Sequence, residues 1–181
     1  YYFQLHISNY IVLDKWRFTM KEILCFGDSN TYGLIPGTKE RYGRDTRWTG
    51  LLEQHLYEKG YRIIEEGLCG RTTVFEDELR EGRKGAALLP TLLESHAPID
   101  RVVLMLGTND CKSLYNASAE VIGLGIEQLL KQIRKIDSDT RILLISQIQL
   151  GEGVWEPEFD PEFNQKSVEV SKKLKSVYQR I

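Results

Sequence analysis

The sequence predicts an α/β fold, a three-layer α/β/α sandwich built on a parallel sheet. Three observations carry this. Apolar runs without polar alternation recur, Ile23 to Phe26 and Val102 to Leu106 being the purest, and such runs suit strands buried on both faces. They alternate with segments whose apolar residues recur at helical spacing, the order that yields parallel sheets with helical crossovers. Each of the first three runs also ends in a glycine-bearing loop: Gly27-Asp28-Ser29, Gly67-Leu68-Cys69-Gly70 and Gly107-Thr108-Asn109.

A chain of 181 residues, 41% of them hydrophobic, has the size of one domain with a proper core. Residues 1–19 are mixed aromatic and polar, lack the basic start and apolar centre of a signal peptide, and precede Met20-Lys21. They are read as an extension to a domain spanning 20–181, with an added edge strand from Ile11 to Leu13 as the alternative. The first strand stops at Gly27, where glycine permits a sharp exit that leaves Asp28 and Ser29 at a strand's carboxyl end. Pro36-Gly37 signals a turn, and Arg41 to Trp48 is a polar and aromatic segment long enough to wall a pocket. Thr49 is the expected cap of a helix from Gly50 to Lys59, with Leu51, Leu52, His55 and Leu56 packing and Gly60 as its stop. Tyr61 to Glu65 reads as a second strand, and Val74 to Lys84, dense in charge and without a period, as a surface loop over the site.

A helix over 85–95 follows, striped by Leu88, Leu89, Leu92 and Leu93; Pro90 fits such a helix only near its first turn. Arg101 to Leu106 is the strongest strand and belongs beside the first. A long amphipathic helix over 118–135 carries Ile122, Ile126, Leu129, Leu130 and Ile133 on one face. Ile142 to Ile145 makes a fourth strand, and the loop from Gly151 to Pro161, with Trp155 and Phe159, is placed to lean over the site. Residues 164–181 read as a last helix with Val170, Leu174, Val177 and Ile181 inward. Right-handed crossovers then favour the strand order 2-1-3-4. In that flavodoxin-like order the switch point falls between the first and third strands, so the Ser29 and Asn109 loops meet at one crevice.

The 24 basic and 26 acidic residues leave a net charge of -2 with no long run of one sign, which points away from nucleic acid and anionic membranes. Three cysteines cannot complete a disulfide framework and fit a reducing compartment, the cytoplasm. No apolar stretch approaches the about 20 residues that span a bilayer. Cys69 and Cys111, without a spaced histidine or further cysteine, do not make a zinc site, so no metal is expected. Asn116-Ala117-Ser118 matches a glycosylation sequon, of little weight in a cytoplasmic chain.

Ser29 is the candidate nucleophile. A serine hydroxyl attacks poorly until a base takes its proton, and the tetrahedral intermediate of ester cleavage places a negative charge on an oxygen that needs fixed donors. The stretches Cys25-Phe26-Gly27-Asp28-Ser29, Arg47-Trp48-Thr49-Gly50, Glu66-Gly67-Leu68 with Arg71-Thr72-Thr73, and Met105 to Asp110 resemble those of the SGNH (GDSL-type) hydrolases, in wording those of the arylesterase and acyltransferase branch. The resemblance covers essentially Lys21 to Asn164. It implies Ser29 as nucleophile, with the backbone N–H groups of Ser29 and Gly70 and the side-chain amide of Asn109 as oxyanion donors. It also implies small acyl groups, notably acetyl, on aryl, alkyl or sugar alcohols. The expected partner is thus a small-molecule ester, no cofactor is implied, and self-association is left open. Asp28, Tyr32 and Trp48 become substrate-contacting candidates, with Leu34 a further pocket wall. Arg71 is expected to pair with Asp28 or Asp77 rather than to clamp substrate.

The fourth block of that superfamily, Asp-x-x-His, is not found: the residues three before His6, His55 and His96 are Phe3, Leu52 and Leu93. The last helix would normally lead into a fifth strand, so a C-terminal truncation is expected. With it comes a nearly inactive 181-residue chain, because Ser29 keeps its proton. Two other readings stand beside the esterase. One is an inactive hydrolase fold serving as a scaffold. The other is a flavodoxin-like binding module with Ser29 to Gly33 as its phosphate loop, which a flavin would colour yellow.

Overall fold

The computed structural model describes residues 20–181, so the reading of residues 1–19, including the edge strand at 11–13, lies outside the described residues. Among the described residues four strands, β1 (Lys21–Gly27), β2 (Tyr61–Gly67), β3 (Arg101–Met105) and β4 (Arg141–Leu144), form one parallel sheet in the order β2-β1-β3-β4. The predicted order holds. Within β1, Leu24 and Phe26 face one helical layer and Ile23 and Cys25 the other, all at most 4% exposed, which is why that run shows no polar alternation. Gly27 stands opposite both Gly67 and Met105, so three strands end level and present their following loops at one edge.

Among the described residues five α-helices surround the sheet: α1 (Ser29–Tyr32), α2 (Trp48–Leu56), α3 (Gly85–Ser95), α4 (Ala119–Ile136) and α5 (Gln165–Tyr178). Leu89 of α3, Ile122, Ile126, Leu129 and Ile133 of α4 and Leu174 of α5 close over the Leu24, Phe26 and Leu104 face. Each such side chain contributes about 1.5–3 kcal/mol on burial. On the other face, among the described residues, α2 alone supplies a helix, packing Trp48, Leu52 and Leu56 against Ile23, Cys25, Ile63 and Val103. Ser118 caps α4 by accepting the Val121 N–H at 3.3 Å. Asn164 and Ser167 cap α5 reciprocally, Asn164 Oδ1 accepting the Ser167 N–H at 3.0 Å and Ser167 Oγ the Asn164 N–H at 3.1 Å.

Several local expectations are corrected. Helix α2 begins at Trp48, with Arg47 at the cap position and no side-chain cap; the Thr49 hydroxyl donates to Glu65 Oε1 instead. It gives way to a tighter turn over Tyr57–Lys59. His55 is exposed with Nδ1 2.8 Å from the Leu51 carbonyl oxygen, so it does not pack, and Leu51 is itself 39% exposed. Pro90 sits in the second turn of α3, past the first. It lacks the N–H that would bond the Ala86 carbonyl, and Gln132 Nε2 from α4 donates to that oxygen at 2.8 Å, which removes the penalty of an orphaned acceptor. Ile181 lies beyond α5 and is 42% exposed rather than inward.

Candidate active site

The nucleophile candidate sits where β1 ends. A Cβ on Gly27 would stand 2.0 Å from Thr31 Oγ1, so only glycine lets α1 fold back this closely on the strand. Asp28 caps α1, its Oδ1 accepting the Asn30 N–H at 2.9 Å and Asn30 Nδ2 at 3.2 Å. Asp28 is 0% exposed, which corrects its reading as a substrate contact: it shapes the turn from within. Burial pushes its carboxyl above the usual range, against the pull of the Asn30 N–H. Ser29, the first residue of α1, is part-exposed, and its N–H donates to no acceptor among the described residues.

Gly70 follows β2 in a left-handed conformation, φ +85°, which favours glycine, and a Cβ there would approach Arg80 Nη1 to 3.2 Å. Its N–H, too, has no acceptor among the described residues. Asn109, 6% exposed, opens a short turn over Asn109–Cys111 just past β3, and its Nδ2 donates to the Arg71 carbonyl at 3.0 Å, leaving one amide hydrogen free. The next residue, Asp110, is wholly buried and accepts the Thr73 N–H at 2.9 and 3.1 Å as well as the Thr73 hydroxyl. Burial pushes its carboxyl up to about 6, opposed by those bonds from Thr73. The Asn109 and Gly70 loops are therefore stitched together twice.

Arg71 does not pair with Asp28 or Asp77, as the sequence suggested. Its Nη1 donates to the Gly27 carbonyl at 3.0 Å and to the Glu66 carbonyl, and its guanidinium lies 4.1 Å from the centre of the Phe26 ring. Asp77 pairs with Arg80 Nε at 2.9 Å. Burial pulls Arg71 down to about 10, while Glu66 and Asp28 oppose the shift. The side chain thus ties the ends of β1 and β2, and the carbonyl of the same residue holds Asn109, so one residue joins all three blocks. On the far side the Tyr178 hydroxyl donates to the Leu106 carbonyl at 2.9 Å, anchoring the Asn109 loop to α5.

A cleft of about 400 Å³ lies beside α1 and the Gly70 loop, lined by Tyr32, Leu34, Thr38, Lys39, Leu68 and Cys69. Tyr32 and Leu34 stand where a substrate wall was expected. Trp48 does not: it packs under α2 and lines a separate groove with Leu52, Val103, Leu143 and Ile145, on the other face of the sheet. The 151–161 loop contributes nothing to the cleft lining. The 74–84 loop is more than surface, because Asp77 is 5% exposed and Arg80 reaches Gly70. Among the described residues no imidazole bonds Ser29: His96 Nε2 is 3.1 Å from Glu66 Oε1, and His55 is turned to its own helix. The residues that sequence reasoning missed, the Thr73–Asp110 clamp and Tyr178, act across 37 and 72 positions, and no local pattern marks such partners.

Comparison with known proteins bears on this geometry. No curated protein matches the chain. An aryl esterase from M. smegmatis, solved with an inhibitor bound, is 34% identical with a TM-score of 0.79, the match covering 88% of this chain and 78% of that one. The carbohydrate acetylesterase Est24 from Sinorhizobium meliloti is 33% identical with a TM-score of 0.76, at the same coverages of 88% and 78%. The GDSL-like lipase/acylhydrolase family matches residues 25–181, a span that holds all three loops gathered at the sheet's edge. A serine after the first strand, and glycine and asparagine after the second and third, are thus carried in the sequence and the fold of one family: the chain belongs to the GDSL-like lipase/acylhydrolases, a family of hydrolases.

Proposed function

We propose that the chain is a serine esterase, or acyltransferase, acting on short-chain acyl esters, notably acetyl esters of aryl, alkyl or sugar alcohols. The observation that carries the reading is the convergence of unengaged donors beside Ser29. Two backbone N–H groups without acceptors among the described residues, at Ser29 and Gly70, share one sheet edge with an Asn109 amide held on the Arg71 carbonyl. Ser29 Oγ attacks the ester carbonyl carbon and the oxyanion takes up the three donors; the alcohol then leaves with the serine proton, and water or a second alcohol releases the acyl group. The aryl esterase and carbohydrate acetylesterase among the solved relatives support the acyl and alcohol classes.

The test is covalent labelling. Treatment with a p-nitrophenyl alkylphosphonate followed by peptide mapping is expected to place the adduct on Ser29 and nowhere in Ser29→Ala. That no imidazole bonds Ser29 among the described residues favours one second reading, an inactive hydrolase fold acting as a scaffold. An unlabelled Ser29, with the adduct absent or on another residue, would support that reading against the esterase.

A further inference from the structure

The cleft beside α1 has an apolar floor and a lysine in its lining. Tyr32, Leu34, Leu68 and Cys69 supply the floor, and Lys39 stands among its lining residues. Lys39 is exposed and, among the described residues, its ammonium has neither an ion pair nor a hydrogen-bond acceptor. Arg83 reaches the same segment from the 74–84 loop, its Nε donating to the Cys69 carbonyl at 3.1 Å and its Nη1 to the Glu81 carbonyl at 2.8 Å. Both acceptors are neutral. Arg83 therefore has a fixed orientation and, among the described residues, an Nη2 without an acceptor and no carboxylate paired with it. The neighbouring cations differ: Arg41 is paired with Glu65 at 3.4 Å, and Arg80 with Asp77 at 2.9 Å and Glu162 at 3.4 Å. Among the described residues, Lys39 in the cleft lining and Arg83 against the Cys69 carbonyl are thus two cations without an ion pair.

Resting on the esterase reading, we propose that this cleft selects esters whose aryl or alkyl body carries a carboxylate. The apolar body lies on Tyr32, Leu34 and Leu68, and the carboxylate meets Lys39 and the free edge of Arg83. An apolar floor by itself would accept a neutral aryl ester equally well; the unpaired cations are what discriminate. Arg83, held by two backbone carbonyls, loses little freedom on binding an anion, whereas Lys39 acts as a mobile point charge.

The experiment compares two p-nitrophenyl alkylphosphonates, one ending in a carboxylate and the other in its methyl ester. In each case Ser29 Oγ forms a bond to phosphorus, p-nitrophenolate departs, and the serine proton passes to solvent. Labelling of Ser29 is followed by mass spectrometry. Partly exposed ion pairs predict that the anionic probe labels about tenfold faster at low salt, falling toward equality at about 0.5 M salt. In Lys39→Met and in Arg83→Met the ratio of the two rates should drop by about threefold each. Arg83→Lys, which keeps the charge, should retain most of the ratio. Equal rates in the unmodified protein, or a ratio that survives in the Lys39→Met, Arg83→Met double variant, overturns the inference and leaves the esterase reading intact. No labelling of Ser29 by either probe overturns the esterase reading itself.

Discussion

Replacing Asp110 by asparagine should abolish a pH dependence of stability that runs against the usual direction for carboxylates. Asp110 is 0% exposed, and two effects compete on it: burial disfavours its charge, while the Thr73 N–H and hydroxyl favour it. Burial is the larger, and the carboxyl is raised from an ordinary 3.8 to about 6. The sign follows. Between about pH 4 and about pH 6 the folded protein holds a proton that the unfolded chain has released, so stability falls as pH rises through that window. Below it both states are protonated and no cost arises; above it the full cost is present. A shift of about two units at about 1.4 kcal/mol each gives about 3 kcal/mol. The assay is urea unfolding of the unmodified protein and Asp110→Asn at intervals from about pH 4 to about pH 7, with the stabilities subtracted at each pH. Subtraction cancels the titrating groups that do not interact with Asp110 and turns any loss of packing in the variant into a constant offset. The difference, unmodified minus variant, should fall by about 3 kcal/mol between about pH 4 and about pH 6.5 and then level off. A flat difference would mean that the Thr73 bonds balance burial, and one that rises with pH that they outweigh it and the clamp is strongest when charged; either refutes the reasoning.

Two further outcomes follow from the same geometry. Asn109→Ala should lower Ser29-dependent turnover of an aryl acetate by about 10²–10³ with little change in KM, because an oxyanion donor acts in the transition state. A loss confined to KM, or a loss of stability with turnover preserved, would return Asn109 to the role of a simple turn former. Gln132→Leu should cost about 1 kcal/mol or somewhat more in unfolding free energy, since it orphans the Ala86 carbonyl that Pro90 leaves unbonded, and should leave Ser29 labelling unchanged. If Gln132→Leu costs nothing, the account of how α3 tolerates an interior proline is wrong.

Much of the fold was legible in the sequence because its signals are local. An apolar run such as Ile23 to Phe26 announces a strand buried on both faces whatever lies around it, and the helical spacing of Ile122, Ile126, Leu129 and Ile133 announces the face that α4 buries. Chirality and connection rules then left the order β2-β1-β3-β4, and with it the meeting of Ser29, Gly70 and Asn109 at one edge, since Gly27, Gly67 and Met105 end level. Tertiary structure decided what depends on partners far along the chain. Asp28 stands beside Ser29 in sequence, yet it is sealed in the interior, and Trp48 packs under α2 away from the cleft, because burial belongs to the layer a side chain enters and not to its neighbours in the chain. Arg71 bonds the carbonyls of Gly27 and Glu66 rather than a carboxylate: an arginine in a charge-rich sequence has many candidate partners, and only the packed strand ends bring those oxygens within its reach. Pro90 is admitted to the second turn of α3 for the same reason, the remedy being a glutamine 42 positions on that no local rule connects to it.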